Sequence, residues 1–143
     1  MLTTALAARL DAGTIVPRAQ DHSRATLAPL LEKGHGRIEW TWPARKIYDR
    51  MRGFTPWPGA YASFRGRLYH IWGRPMEKPE RGAVSAPVEP GTMQTDAGEL
   101  YVACGEGTWL RVDAVQAEGR KRISAKEFIS GARLISDEHF DPA

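Results

Sequence analysis

Arg52-Gly53-Phe54-Thr55-Pro56-Trp57-Pro58-Gly59-Ala60-Tyr61 is the stretch on which the fold turns. A basic helix ends at Gly53, a Pro-Trp-Pro-Gly corner follows, and the chain leaves it as a strand. Two prolines fix φ on either side of one large aromatic, and the glycine supplies tight backbone. Such a corner restricts the chain and is expected to bury Trp57 as a core anchor. Upstream, Trp40-Thr41-Trp42-Pro43 leads into the helix over 44–53. Thr41 suits a cap, Pro43 a first turn and Gly53 the C′ position. Ala44, Ile47, Tyr48 and Met51 recur at i, i+3, i+4 and i+7 and form the stripe to be buried. That leaves Arg45, Lys46, Arg50 and Arg52 on the solvent side.

Downstream of the corner the period changes to two. Residues 60–64, an Arg65-Gly66 turn and residues 67–72 predict a hairpin. Residues 73–90 carry Pro75, Pro79, Pro87 and Pro90 among mixed charges and read as a loop. Strands are then expected over 92–94, 99–104 and 108–116, separated by the turns Asp96-Ala97-Gly98 and Gly105-Glu106-Gly107. In the last strand Leu110, Val112 and Ala114 alternate with Trp109, Arg111 and Val115. Ser124-Ala125-Lys126-Glu127 is a capping box, with Ile123 and Phe128 placed as a hydrophobic staple for a short helix to about residue 131. The fold class is therefore mainly β with flanking helices, a small OB-like β-barrel. No internal repeat is visible.

The N-terminal part is less regular. Leu2, Ala5, Leu6 and Leu10 have helical spacing that Gly13 ends. Residues 14–36 read as a linker in extended chain, with a short helix over 25–33 interrupted at Pro29. The domain organisation is thus a helix over 1–13, a linker over 14–36 and a barrel domain over 37–143. The acidic end, Asp137 to Asp141, is expected to fray.

The 143 residues suffice for one domain with a core and not for two ordinary ones. Apolar content of 42% and charged content of 26% match a soluble globular protein. No apolar run approaches the roughly 20 residues of a membrane span. The first residues lack a basic n-region, which argues against a signal peptide. A single cysteine, Cys104, excludes an internal disulfide and fits a reducing cytosol. The net charge of +3 hides a division. Nine basic residues between Lys33 and Arg74 face only Glu39 and Asp49, so that segment carries +7. Arg120, Lys121, Arg122 and Lys126 follow within a segment without acids. Such a split suggests one positive face aimed at a polyanion, although solvated surface charges also satisfy it.

Other chemistry finds little support. His22, His35, His70 and His139 are scattered, and with Cys104 they show no metal-ligand spacing. Cys104 lies in an apolar strand and reads as a small buried hydrophobe. Gly105-Glu106-Gly107 is too short for a phosphate loop. Trp40, Trp42, Trp57, Trp72 and Trp109 could stack bases, but their places beside prolines or in alternating strands favour packing.

Several segments together resemble the C-terminal domain of methionyl-tRNA formyltransferases. Gln20-Asp21 with Ala25-Thr26-Leu27-Ala28-Pro29 resembles that family's interdomain linker. Gly36-Arg37-Ile38-Glu39-Trp40 is similar to its Gly-x-Ile-Asp-Trp. Residues 43–53 and Pro56-Trp57-Pro58-Gly59-Ala60 resemble its helix and corner. Pro90-Gly91-Thr92, residues 102–107 and residues 119–128 resemble later strands and the last helix. Residues 2–13 look like the end of the family's catalytic domain.

The resemblance implies a tRNA-holding module without its catalytic half. The family's catalytic Asn, His and Asp lie near a Ser-Leu-Leu-Pro loop that is missing here, and this chain contains no asparagine. No catalytic residue is carried over. The cofactor, 10-formyltetrahydrofolate, is expected on the separate catalytic domain, with no metal. The implied partner is tRNA, initiator Met-tRNA above all, held by its backbone. The residues expected to hold it are Arg45, Lys46, Arg50 and Arg52 on the helix, Arg65 and Arg67 at the hairpin, and Arg120, Lys121 and Arg122 on a loop. Two alternatives stay open. The chain docks through 2–13 and the linker onto a separate formyltransferase domain, or its barrel is a scaffold of a related formyl-transferring or formyltetrahydrofolate-hydrolysing enzyme.

Overall fold

A computed structural model describes residues 11–13, 19–76, 88–135 and 137–141. Residues 1–30 and 31–143 form two separate units. Most of the expected helix over 2–13 lies outside the described residues, as does 77–87 of the expected proline-rich loop. In the first unit residues 19–30 hold no regular element apart from a single 3₁₀ turn, His22–Arg24, capped by the Asp21 side chain. The short helix expected over 25–33 does not form. Pro29 withholds an amide donor, and Leu27 and Leu30 stay almost wholly exposed, so no burial offsets the cost of nucleating a helix.

The second unit is a curled antiparallel sheet with two helices. In chain order it holds α1 (Ala44–Gly53), β1 (Tyr61–Phe64), β2 (Arg67–Met76), β3 (Met93–Asp96), β4 (Glu99–Ala103), β5 (Trp109–Ala117), β6 (Ile123–Ser124) and α2 (Ala125–Ala132). The sheet order is β1-β2-β5-β4-β3, with β6 also on β5. One edge of β5 is taken by β2, and β4 and β6 share the other. The hairpin strand β2 runs on to Met76 instead of ending at Trp72. What carries it past Trp72 is a bulge, where Trp72 faces Ala114 but Gly73 faces Val112. A Cβ on Gly73 would lie 2.4 Å from the Arg111 carbonyl oxygen, so only glycine fits the bulge.

The α1 helix buries Ala44, Ile47 and Met51 against the sheet, while Tyr48 is half-buried. Its start is not capped by Thr41. The Ala44 amide instead donates to Thr108 Oγ1 at 2.8 Å, a cap brought from the β4–β5 turn. Gly53 is the last helical residue rather than C′, and Phe54 closes the helix with its amide on the Arg50 carbonyl.

The corner then differs from expectation in what it buries. Both of its X–Pro bonds are cis. The Gly59 amide donates to the Phe54 carbonyl, pinching 54 to 59 and looping the intervening residues outward. Pro58 is buried, whereas Trp57 is 56% exposed and anchors no core. Gly59 takes φ +75° with its carbonyl pressed against Gly36, where a Cβ would come within 2.2 Å.

The acidic end does not fray either. The amides of Asp137 and Met93 donate to the carbonyls of Met93 and Glu138, and the Phe140 amide donates to the Gly91 carbonyl. The Asp141 amide then reaches the Ser63 carbonyl at 2.7 Å, so the segment ties the β3 edge to the β1 edge. Phe140 enters the core at 3% exposure and stacks on Trp40 at 5.1 Å. Edge pairing and aromatic burial outweigh the charges around it. Phe64 meets both Phe128 and Phe140 edge-to-face in the core, and Tyr69 packs on Phe128. The Ser124–Glu127 capping box opens α2 as the spacing requires.

Candidate nucleic-acid interface

The nine cations nominated by the sequence divide among three neighbouring surfaces. The first is the outer face of α1. Lys46 Nζ lies 3.9 Å from the Trp42 ring centre, and the Arg50 guanidinium lies 4.9 Å from the same ring and 4.7 Å from Phe54. Arg50 also donates to the His35 carbonyl at 2.9 Å. Trp42 is half-buried, so it orients both cations without hiding them. Arg45 and Arg52 flank Asp49 at 3.2 and 3.9 Å. These pairs are exposed and contribute only about 0.3–0.5 kcal/mol each, so a phosphate displaces them easily.

The second surface is a groove of about 540 Å³ between the β1–β2 hairpin, the β5–β6 loop and α2. Arg65, Arg67, Arg120 and Lys121 line it over an apolar floor that includes Tyr69 and Phe128. Arg67 and Arg120 have no acidic partner among the described residues. Arg65 is different. Its guanidinium grips the Glu138 carboxylate and donates to the Ala132 carbonyl at 2.9 Å, which joins hairpin, tail and helix end. The Glu138 carboxyl is held below the ordinary glutamate range, first by the Ile135 amide and then by Arg65.

The third surface is a groove of about 380 Å³ between α1, the corner and β2. Arg52 and Arg122, far apart in sequence, both line it. Arg122 lies over the Trp72 ring at 4.0 Å and Arg52 near Tyr48 at 5.6 Å. Sequence reasoning treated His70 as scattered and Trp72 as packing. Yet Tyr61 and His70 are cross-strand partners, and His70 and Trp72 stand at i and i+2 on the same face. Tyr61 to His70 is 6.0 Å and His70 to Trp72 is 6.3 Å, a half-exposed aromatic row. The period-two spacing of His70 and Trp72 was the available signal.

Other chemistry stays quiet. Cys104 is buried and its thiol is pushed up to about 12 by that burial. No group of metal-ligating side chains occurs among the described residues, and no helix among them is long and apolar enough to cross a membrane.

Comparison with known proteins identifies the family. The family described as formyl transferase, C-terminal domain, matches residues 30–133. The chain is 49% identical over 132 residues to the methionyl-tRNA formyltransferase of Solibacter usitatus (strain Ellin6076), covering 92% of this chain and 40% of that protein. It is 48% identical to the enzyme of the same name from Anaeromyxobacter sp. (strain K), covering 87% and 39%. The counterpart from Bacillus velezensis is 35% identical, covering 85% and 37%. Among solved structures, a variant of HypX from Aquifex aeolicus superposes with a TM-score of 0.63 at 14% identity, over 99% of this chain and 24% of that one, a likeness of fold. This chain thus spans about 40% of the length of the curated relatives it matches. With this sheet, this corner and a match from residue 30 to 133, the chain belongs to the family of formyl transferase C-terminal domains.

Proposed function

We propose that the chain is the tRNA-gripping module of a methionyl-tRNA formyltransferase-like protein and does not catalyse formyl transfer by itself. The observation that carries this reading is the set of outward cations on α1 and the β5–β6 loop, held by aromatic rings and weak exposed pairs rather than by strong acidic partners. Cations presented this way suit phosphates, and phosphate contacts position a nucleic acid without reading its sequence. The relatives' name supports methionyl-tRNA as the polyanion, and we assign initiator Met-tRNA to that place. We assign 10-formyltetrahydrofolate to a separate catalytic domain and no residue of this chain to it. The protein is read as cytoplasmic, where its tRNA partner resides.

A second reading is favoured by one observation. Leu27 and Leu30 are 98% and 90% exposed, and Leu31 is also exposed. Such apolar side chains gain from being covered, which suits docking of the linker region on a formyltransferase domain that then formylates Met-tRNA.

Binding of the purified chain to initiator tRNA across a salt series tests the first reading. Affinity is expected to fall steeply with salt, by a log–log slope of about 0.7–0.9 per phosphate neutralised. Arg45→Ala/Arg50→Ala and Arg120→Ala/Arg122→Ala should each give a shallower slope. Absence of binding at low salt would overturn it. Recovery of formylation only on adding a catalytic domain would establish the second reading, and formylation by the chain alone would defeat both.

A further inference from the structure

The groove between α1, the corner and β2 is not a plain basic patch. Its walls are aromatic and its rim is cationic. One wall is Tyr48 with Arg52 from α1; the other is Trp72 with Arg122 over it, from β2 and the β5–β6 loop. His70 continues the second wall toward Tyr61. At about 380 Å³ the groove has the volume of a single nucleotide, whereas a duplex backbone needs no such recess. The one carboxylate in it, Asp113, is held by Arg74 at 3.1 Å and Arg111 at 3.3 Å, so it does not set a net negative charge against a phosphate. Flat aromatic walls, guanidinium planes and two rim arginines are what an unstacked base and its phosphate need.

We propose that this groove binds one unpaired nucleotide, its base stacked against Trp72 and His70 and its phosphate held by Arg52 and Arg122. The site rests on the tRNA reading above and deepens it. The α1 face and the groove at Arg67 and Arg120 take backbone of any form, while this groove takes only nucleotides free of a duplex. Specificity for single-stranded segments then comes from stacking, without base-edge readout.

The test compares a blunt RNA duplex with the same duplex carrying a short single-stranded 3′ overhang, both titrated against the full chain. The wild type is expected to bind the overhang form roughly tenfold tighter, the scale of one base stacked on an aromatic side chain. Trp72→Leu removes the stacking face and keeps the charge, so it should abolish that preference, and any loss through the freed Arg122 should fall on both duplexes alike. Arg45→Ala should weaken both forms equally. His70→Leu, which removes the other ring of the stack, gives the same readout should Trp72→Leu fail to fold. In the wild type a short single-stranded oligoadenylate should also shift the His70 ring-proton signals, which needs no variant. Equal binding of both duplexes, a preference that survives Trp72→Leu, or unmoved His70 signals would overturn the nucleotide site while leaving the backbone grip standing. Failure to bind either duplex at low salt would overturn the tRNA reading and this site with it.

Discussion

Phe140 and Trp57 are two large aromatics in irregular chain, and the molecule treats them in opposite ways. Phe140 lies in a short acidic tail yet is 3% exposed, because backbone bonds on both sides of it stitch the tail across two strand edges. Trp57 lies in a doubly proline-flanked corner yet is 56% exposed, because the bond from the Gly59 amide to Phe54 closes beneath it and turns the loop outward. What decides burial is where the backbone hydrogen bonds go, since they fix the direction in which a side chain must point. The stiffness of the local sequence does not decide it. The tail therefore serves the fold, and the corner serves as the frame of a surface on which α1 and β2 meet.

The comparison breaks most visibly by truncation. Phe140→Ala removes a ring packed on Trp40 and Phe64 and is expected to destabilise the protein by about 3–5 kcal/mol. Trp57→Ala is expected to cost no more than about 0.5 kcal/mol, as exposed positions do. Urea unfolding of the two variants measures both. A Trp57→Ala loss as large as that of Phe140→Ala would mean that the corner is a core element after all.

These two residues also mark where the sequence stops being legible. The period of 3.6 over 44–53, the turns on either side of 99–104 and the alternation over 108–116 were enough to place α1, β4 and β5, and the Ser124–Glu127 spacing placed α2. Those signals are local. The closure by residues 137–141, the capture of Arg65 by Glu138 and the capping of Ala44 by Thr108 join residues far apart in the sequence. No period or cap rule encodes such pairings. The same holds for the candidate interface. Charge counting named the cations, but their partition into three surfaces depends on the curl of the sheet. The row Tyr61, His70 and Trp72 was half legible, since alternation gives a shared face but not its exposure.

A smaller effect sharpens the corner side of the comparison. Thr108→Val keeps the shape of the side chain and removes the acceptor for the Ala44 amide. The cost is expected to be about 1 kcal/mol, the usual value of a lost N-cap. Amide hydrogen exchange locates it: the first turn of α1 should lose protection while the tail keeps its own. Equal loss in both regions would show that α1 and the tail open as one unit.

The smallest effect belongs to the tail and appears as a pH dependence. The Glu138 carboxyl is held below its ordinary value, so the folded state binds its proton more weakly than the unfolded chain does. Its contribution is fully present above the ordinary glutamate value of about 4.3 and is lost as pH falls through the lowered folded value. Glu138→Gln should therefore flatten part of the decline in stability below about pH 4.3 and lower stability at neutral pH. The Arg65 side chain is 49% exposed, so solvent screening limits the neutral-pH loss to about 1 kcal/mol or less. The Glu127 carboxyl at the α2 cap is lowered too, by the Ser124 amide and then the Ser124 hydroxyl, so some acid sensitivity survives in the variant. Thermal unfolding from pH 3 to pH 7 separates the two sites, since only the Glu138 share should shrink in Arg65→Ala, the Ile135 amide keeping the rest. If Arg65→Ala leaves the acid decline of the wild type intact, the Ile135 amide alone holds Glu138, and the guanidinium is free to serve the neighbouring groove.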